Sequence, residues 1–260
     1  MKPANQALPE LLMAESGYSL DFHLPAGKDC GVVEPAVCAL IIPCFNEGTT
    51  IAALVGAALP HLPAVVVVDD GSTDTTSVAA QAAGAQVVRH ARNRGKGAAL
   101  RTGLSLAGKQ GFEWAFTLDG DGQHAPADIP AFQRCASQTG ALLVVGNRMH
   151  NAQAMPWLRR RVNSWMSRQL SRRAGRDLPD TQCGFRLVHL KTWAGLSLKT
   201  ERFEIESEML MAFLAAQHPV AFVPIQVIGQ QRQSRIHPLA DTLRWWRWWY
   251  GPARSSFRRH

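Results

Sequence analysis

Ala64-Val65-Val66-Val67-Val68-Asp69-Asp70-Gly71-Ser72-Thr73-Asp74 passes from an unbroken apolar run straight into acids, glycine and hydroxyls. A β-branched run of this kind reads as a strand buried on both faces, and such strands belong to parallel sheets covered by helices. The polar residues then form the turn at the carboxyl end of the strand, with Asp74 suited to cap the next helix. The same alternation repeats outward. Beside the strand at 64–68, strands are expected at 37–42, 86–88, 113–118, 141–145 and 221–227. Helices are expected at 49–59, 75–83, 96–107, 126–137, 156–173, 203–216 and 239–250. This is an α/β chain with a Rossmann-like, mostly parallel sheet. Peripheral amphipathic helices follow: in 156–173, Leu158, Val162, Trp165, Met166 and Leu170 share one face and arginines fill the rest.

Composition narrows the class. The chain has 260 residues, 46% of them hydrophobic, enough for one large core. Five cysteines with no CxxC pair argue against a disulfide framework or a zinc cluster and favour a reducing cytoplasm. The sequence has no apolar leader and no run long enough to span a bilayer, so the expected state is soluble or peripherally attached. The net charge of +8 is unevenly spread. Nine arginines between Arg148 and Arg186 face only Asp177 and Asp180, and seven between 230 and 260 face only Asp241. An anionic partner is therefore expected to meet the second half of the chain. Three segments are expected: an N-terminal arm (1–36), a catalytic domain (37–236), and a Trp/Arg-rich helix and tail (237–260).

In open α/β sheets, ligands bind beyond the carboxyl ends of the strands. Four polar clusters fall there: Pro43-Cys44-Phe45-Asn46-Glu47, Asp69–Asp74, Asp119-Gly120-Asp121-Gly122-Gln123 and Gly146-Asn147-Arg148. Asp119 and Asp121 are two apart, so in extended chain their carboxylates point the same way. Paired carboxylates suit a hard cation such as Mg²⁺, which fills its shell with phosphate oxygens and water and steadies a departing diphosphate. Asp70 is read as an acceptor for a base or ribose. DGDGQ is no EF-hand, because His124 and Pro130 occupy the positions that need Gly and Glu. Asn93-Arg94-Gly95-Lys96-Gly97 lacks the rest of a P-loop and reads as a loop opening a helix. Glu204, Glu206 and Glu208 read as acids favoured at a helix start, with a functional role weighed equally for Glu204 and Glu208. His124, His189 and His218 read as structural, and Cys183 as a small packed residue.

Taken in order, IIPCFNE, VVDDGSTDTT, NRGKGAALRTG, LDGDGQH, GNR, DTQCGFR and RFEIESEML resemble the family-2 glycosyltransferases of GT-A fold over roughly residues 37–240. More narrowly, they are similar to polyprenyl-phosphate sugar synthases of the dolichyl-phosphate mannosyl- and glucosyltransferase type. The resemblance implies nucleoside contacts at Pro43, Phe45, Glu47, Val68 and Asp70. It implies Asp119, Gly120 and Asp121 at the diphosphate, with Asp119, Asp121 and Gln123 holding Mg²⁺ or Mn²⁺. Arg148 matches a phosphate-binding arginine, Arg186 and Arg202 match cations near an acceptor phosphate, and Arg235 stands where a lysine usually reaches the donor phosphates.

The expected activity is metal-dependent, inverting transfer from a GDP- or UDP-linked sugar to polyprenyl phosphate or another lipid acceptor. Its expected site is the anionic inner face of the cytoplasmic membrane, with Asp119, Asp121 and Arg202 in the chemistry. Two alternatives stand beside it. One is transfer to a hydroxyl of a lipid or glycan, with an acid near 204–208 as base. The other is a non-enzymatic module for membranes or nucleic acid, although acids at the strand ends would repel nucleic acid, so no nucleic-acid partner is expected.

Overall fold

A computed structural model describes residues 32–149, 155–228 and 238–251. One sheet of seven strands has the order β3-β2-β1-β4-β6-β5-β7. The strands are β1 (Cys38–Cys44), β2 (Ala64–Asp69), β3 (Gln86–Arg89), β4 (Trp114–Thr117), β5 (Leu143–Asn147), β6 (Arg186–His189) and β7 (Val220–Pro224). The helices are α1 (Ile51–Ala58), α2 (Thr76–Ala82), α3 (Lys96–Lys109), α4 (Ile129–Thr139), α5 (Trp157–Ala174), α6 (Leu190–Ala194), α7 (Ile205–Ala215) and α8 (Pro238–Tyr250).

β1 to β4 pair in parallel, as their apolar runs require. Both faces of β1 and β2 are buried. α3 lies so close on this sheet that a Cβ on Gly103 would strike Ile41 and touch Val68. That close packing explains why small residues line the inner side of α3.

β6 is the departure from the expected pattern. It runs antiparallel between β4 and β5, with Thr117 opposite Arg186. Reversal brings the amino end of β6 to the edge where β4 ends, and with it the preceding turn at Cys183-Gly184. The Thr117 hydroxyl ties that turn down by donating to the Gly184 carbonyl at 2.7 Å. The strand expected at 221–227 stops at Pro224, which cannot donate to a ladder.

Outside the sheet, the end of the N-terminal arm is anchored: Val33 is buried and its N–H donates to Ser137 Oγ of α4. Residues 1–31, Arg235 and the tail 252–260 lie outside the described residues. The four tryptophans of α8 divide between the core and the surface. Trp245 is buried, its indole N–H donates to Ser207 Oγ at 2.9 Å, and its ring meets Trp165 of α5 edge-on. Trp248 and Trp249 also pack on the core. Leu243, Trp246 and Tyr250, spaced at i, i+3 and i+7, form the outward face.

Candidate active site

The expected clusters meet along one edge of the sheet. Pro43 of β1 lies opposite Val68 of β2, and Cys44 opposite Asp69. Phe45 follows at 37% exposure, and Glu47 begins the turn into α1 with its N–H donated to Thr76 Oγ1. Val68 is fully buried under α3, so a ligand would meet only its main chain. Asp70 is also buried. Its carboxylate accepts from the N–H groups of Arg94 and Gly95 at 2.9 and 2.7 Å and pairs with His90 Nδ1 at 2.7 Å. Asp70 thus ties down the loop that opens α3, a role the sequence did not reveal. Gly95 turns there with φ of 97°, a conformation that favours glycine.

Lys96, the first residue of α3, reaches across the edge. Its ammonium lies 2.5 Å from Asp119 Oδ1 and 2.5 Å from Glu206 Oε1, under the Phe203 ring. Burial alone would raise the Asp119 carboxyl, but Lys96 outweighs it and holds it down at about 2. Gly184 leaves room for that carboxylate, since a Cβ there would come within 2.6 Å of Asp119 Oδ1. Asp121 lacks such a partner: burial and the charge of Asp119 both push its carboxyl up, and the Gln123 N–H is its hydrogen bond. The side chain of Gln123 accepts from Arg159 Nη1 at 3.2 Å.

Asp119, Asp121 and Gln123 offer oxygen donors only, the set that suits Mg²⁺ or Mn²⁺. Two like charges side by side, one pushed upward, are what a cation would relieve, so the residues fit such an ion. Among the described residues no group of three or more His, Cys, Asp or Glu side chains could hold a metal by itself. The remaining ligands would have to come from a diphosphate and water.

Two arginines are committed inside the protein. Arg148 forms a two-pronged pair with the buried Asp180, Nε to Oδ2 at 2.8 Å and Nη2 to Oδ1 at 2.9 Å. Arg186 spends Nε, Nη1 and Nη2 on the carbonyls of Cys183, Glu206 and Thr181. The resemblance places Arg186 near an acceptor phosphate; in the structure its guanidinium braces the 181–186 turn. Arg202, by contrast, is exposed beside Gly95. Its loop is stitched to the start of α3, where the Glu201 carbonyl accepts from the N–H groups of Gly97 and Ala98. His124 is buried with Nδ1 unpartnered, and burial and Arg148 push its pKa down to about 4. It is neutral near pH 7. Cys183 is a buried free thiol, as its packing reading required.

A seven-stranded α/β sheet with an acidic cluster at the end of β4 defines a GT-A glycosyltransferase fold. The family model for glycosyl transferase family 2 matches residues 39–191, and the chain belongs to that family of nucleotide-sugar glycosyltransferases. It is 30% identical over 212 residues to the UDP-N-acetylglucosamine–dolichyl-phosphate N-acetylglucosaminyltransferase of Methanococcus voltae, covering 73% of this chain and 84% of that one. It is 30% identical over 217 residues to the dodecaprenyl-phosphate galacturonate synthase of Rhizobium johnstonii, covering 78% of this chain and 58% of that one. Among solved structures it is similar to glucosyl-3-phosphoglycerate synthase of Mycobacterium tuberculosis, in complex with Mn²⁺, UDP and phosphoglyceric acid, with TM-score 0.65 and 20% identity over 81% of this chain and 74% of that one.

Proposed function

We propose that the chain transfers a sugar, with inversion, from a UDP- or GDP-linked donor to a polyprenyl phosphate at the cytoplasmic face of a membrane. One observation carries the acceptor class: among the described residues, each of the three acids at the start of α7 already faces a partner. Glu204 is paired with Arg244, Glu206 with Lys96, and Glu208 accepts from the N–H groups of Lys199 and Thr200 and from the Thr200 hydroxyl. A hydroxyl acceptor needs a free base within hydrogen-bond reach. A phosphate monoester, with a second pKa of about 6, is already anionic and needs only a cation to orient it. Arg202 is that cation, exposed on a loop fastened to α3. The names of the relatives, both lipid-phosphate sugar transferases, support the same class.

On the donor side, Pro43, Phe45, Glu47 and Asp70 border the nucleoside, with Val68 contributing only main chain. Gly120 packs on Cys44, with no room for a Cβ, and would offer the diphosphate only its main chain. Asp119, Asp121 and Gln123 would hold Mg²⁺ or Mn²⁺, which supplies charge to the departing diphosphate. Arg148 acts at a distance, its charge held beside the site by Asp180, and Arg235 would reach the donor phosphates directly. The catalytic groups are Asp119, Asp121 and Arg202. The exposed face of α8 and the arginines of α5 would rest on an anionic bilayer.

The test is competition between polyprenyl phosphate and the matching polyprenol for one radiolabelled donor. The phosphate should be used and the alcohol ignored. A better alcohol, together with an inactive Glu206→Gln protein, would replace this reading by base catalysis.

A further inference from the structure

Lys96 joins the acidic pair at the end of β4 to α7 behind it. Its ammonium bridges Asp119 and Glu206 in a partly buried position, with side-chain exposures of 14% for Lys96, 25% for Asp119 and 5% for Glu206. Lys96 has little freedom to leave. It is the first residue of α3, and the next two N–H groups are fixed to the Glu201 carbonyl. Phe203 covers the ammonium from one side. The space behind Asp119 is closed by Gly184. A divalent cation held by Asp119 and Asp121 would have to share Asp119 with this resident charge.

We infer that Lys96 is a built-in counter-ion that competes with the metal for Asp119, so the site takes its metal together with the nucleotide diphosphate and not before it. Lys96 is thus a positioning residue. Glu206 sets the strength of the competition, because it draws the ammonium away from Asp119. Like charges at contact distance in a partly buried site repel strongly, so nucleotide-free protein should bind metal weakly. A diphosphate supplies the negative charge that lets both cations stay. This inference rests on the metal reading proposed above.

The experiment is calorimetric titration of Mn²⁺ into the full chain, with and without UDP, for the unmodified protein, Lys96→Met and Glu206→Gln. Lys96→Met should tighten nucleotide-free Mn²⁺ binding by about tenfold or more, a factor that follows from removing one neighbouring charge. Glu206→Gln leaves the ammonium to Asp119 alone and should weaken it by about threefold or more. If Lys96 instead merely orients Asp119 for the metal, Lys96→Met will bind Mn²⁺ more weakly, and the inference is overturned. Unchanged binding overturns it as well. Should Lys96→Met fail to fold, Glu206→Gln decides: equal or tighter Mn²⁺ binding overturns the inference. Failure of the unmodified protein to bind Mn²⁺ even with UDP present would remove the metal reading itself, and this inference with it.

Discussion

Asp121 is half-buried and Asp180 fully buried, and opposite consequences follow from removing them. Asp121 is pushed up by burial and by Asp119, so its charge is carried at a net cost despite the hydrogen bond from the Gln123 N–H. Asp121→Ala should leave thermal stability unchanged or slightly raised, while transfer falls by about a thousandfold, the share expected of metal-assisted departure. Turnover near the original rate in the presence of EDTA would remove the metal from the chemistry. Asp180 is held down by Arg148, against the upward push of burial. Asp180→Asn strands a buried guanidinium, and urea unfolding should show a loss of about 3–5 kcal/mol. The folded carboxyl lies below its unfolded value, so this contribution is present above about pH 4 and lost as the pH falls below it. The variant should therefore show a flatter acid limb. Arg202 and Arg186 make a second contrast. Arg202→Ala should lose use of the acceptor before donor affinity, with stability intact. Arg186→Met should lower stability instead, since it removes three buried hydrogen bonds, to the carbonyls of Cys183, Thr181 and Glu206, at about 1 kcal/mol each.

At the scale of elements, the apolar runs were enough to locate six of the strands; burial on both faces marks nearly every residue of β1, β2, β4 and β5, while the edge strand β3 is found by its short β-branched run alone. α5 and α8 begin and end within a residue of where their periodicity put them. β6 left no such mark: it is four residues long and carries Arg186, whose buried charge is satisfied by carbonyls contributed from up to twenty residues away. The site divides in the same way. Asp119, Asp121 and Gln123 are close in sequence and could be read together. The partners of Asp70, Arg148 and Lys96 lie between 20 and 110 positions off, and no local pattern announces them. The signal for Lys96 was present in its position at the start of a helix beside two glycines, but the departures from a P-loop left it without a role. The antiparallel insertion of β6 gives a direct test of how Asp119 is held. Gly184→Ala sets a methyl against its carboxylate. Steady-state assays should show a large fall in kcat with little change in the melting temperature.

Over the whole molecule, charge and exposed apolar surface coincide. α5 carries six arginines and no acid, and Arg161, Arg168 and Arg172 recur along one exposed stripe that begins at Trp157. Among the described residues no carboxylate is paired with that stripe. α8 packs on α5 through Trp165 and Trp245 and turns Leu243, Trp246 and Tyr250 outward, with Arg247 beside them. Cosedimentation with anionic vesicles should weaken several-fold as salt is raised past the range where the Debye length falls below about 8 Å. It should also weaken when Leu243 and Trp246 are both changed to Ser, with UDP affinity unaffected. Deleting 241–260 is a poorer experiment, because it also removes Trp245 from the core. Undiminished vesicle binding by the doubly substituted protein would exclude the outward face of α8 as the contact.

The division of labour along α8 has an optical consequence. An indole sealed among other rings emits toward the blue, and one facing water emits toward the red. Trp245 belongs to the first kind and Trp246, its neighbour in the chain, to the second. Vesicle binding should therefore move the Trp246 share of the emission toward the blue, and brominated lipid, which quenches only fluorophores within reach of the acyl chains, should remove that share and leave the sealed Trp245 emitting. The protein carries its own gauge of how deeply it sits.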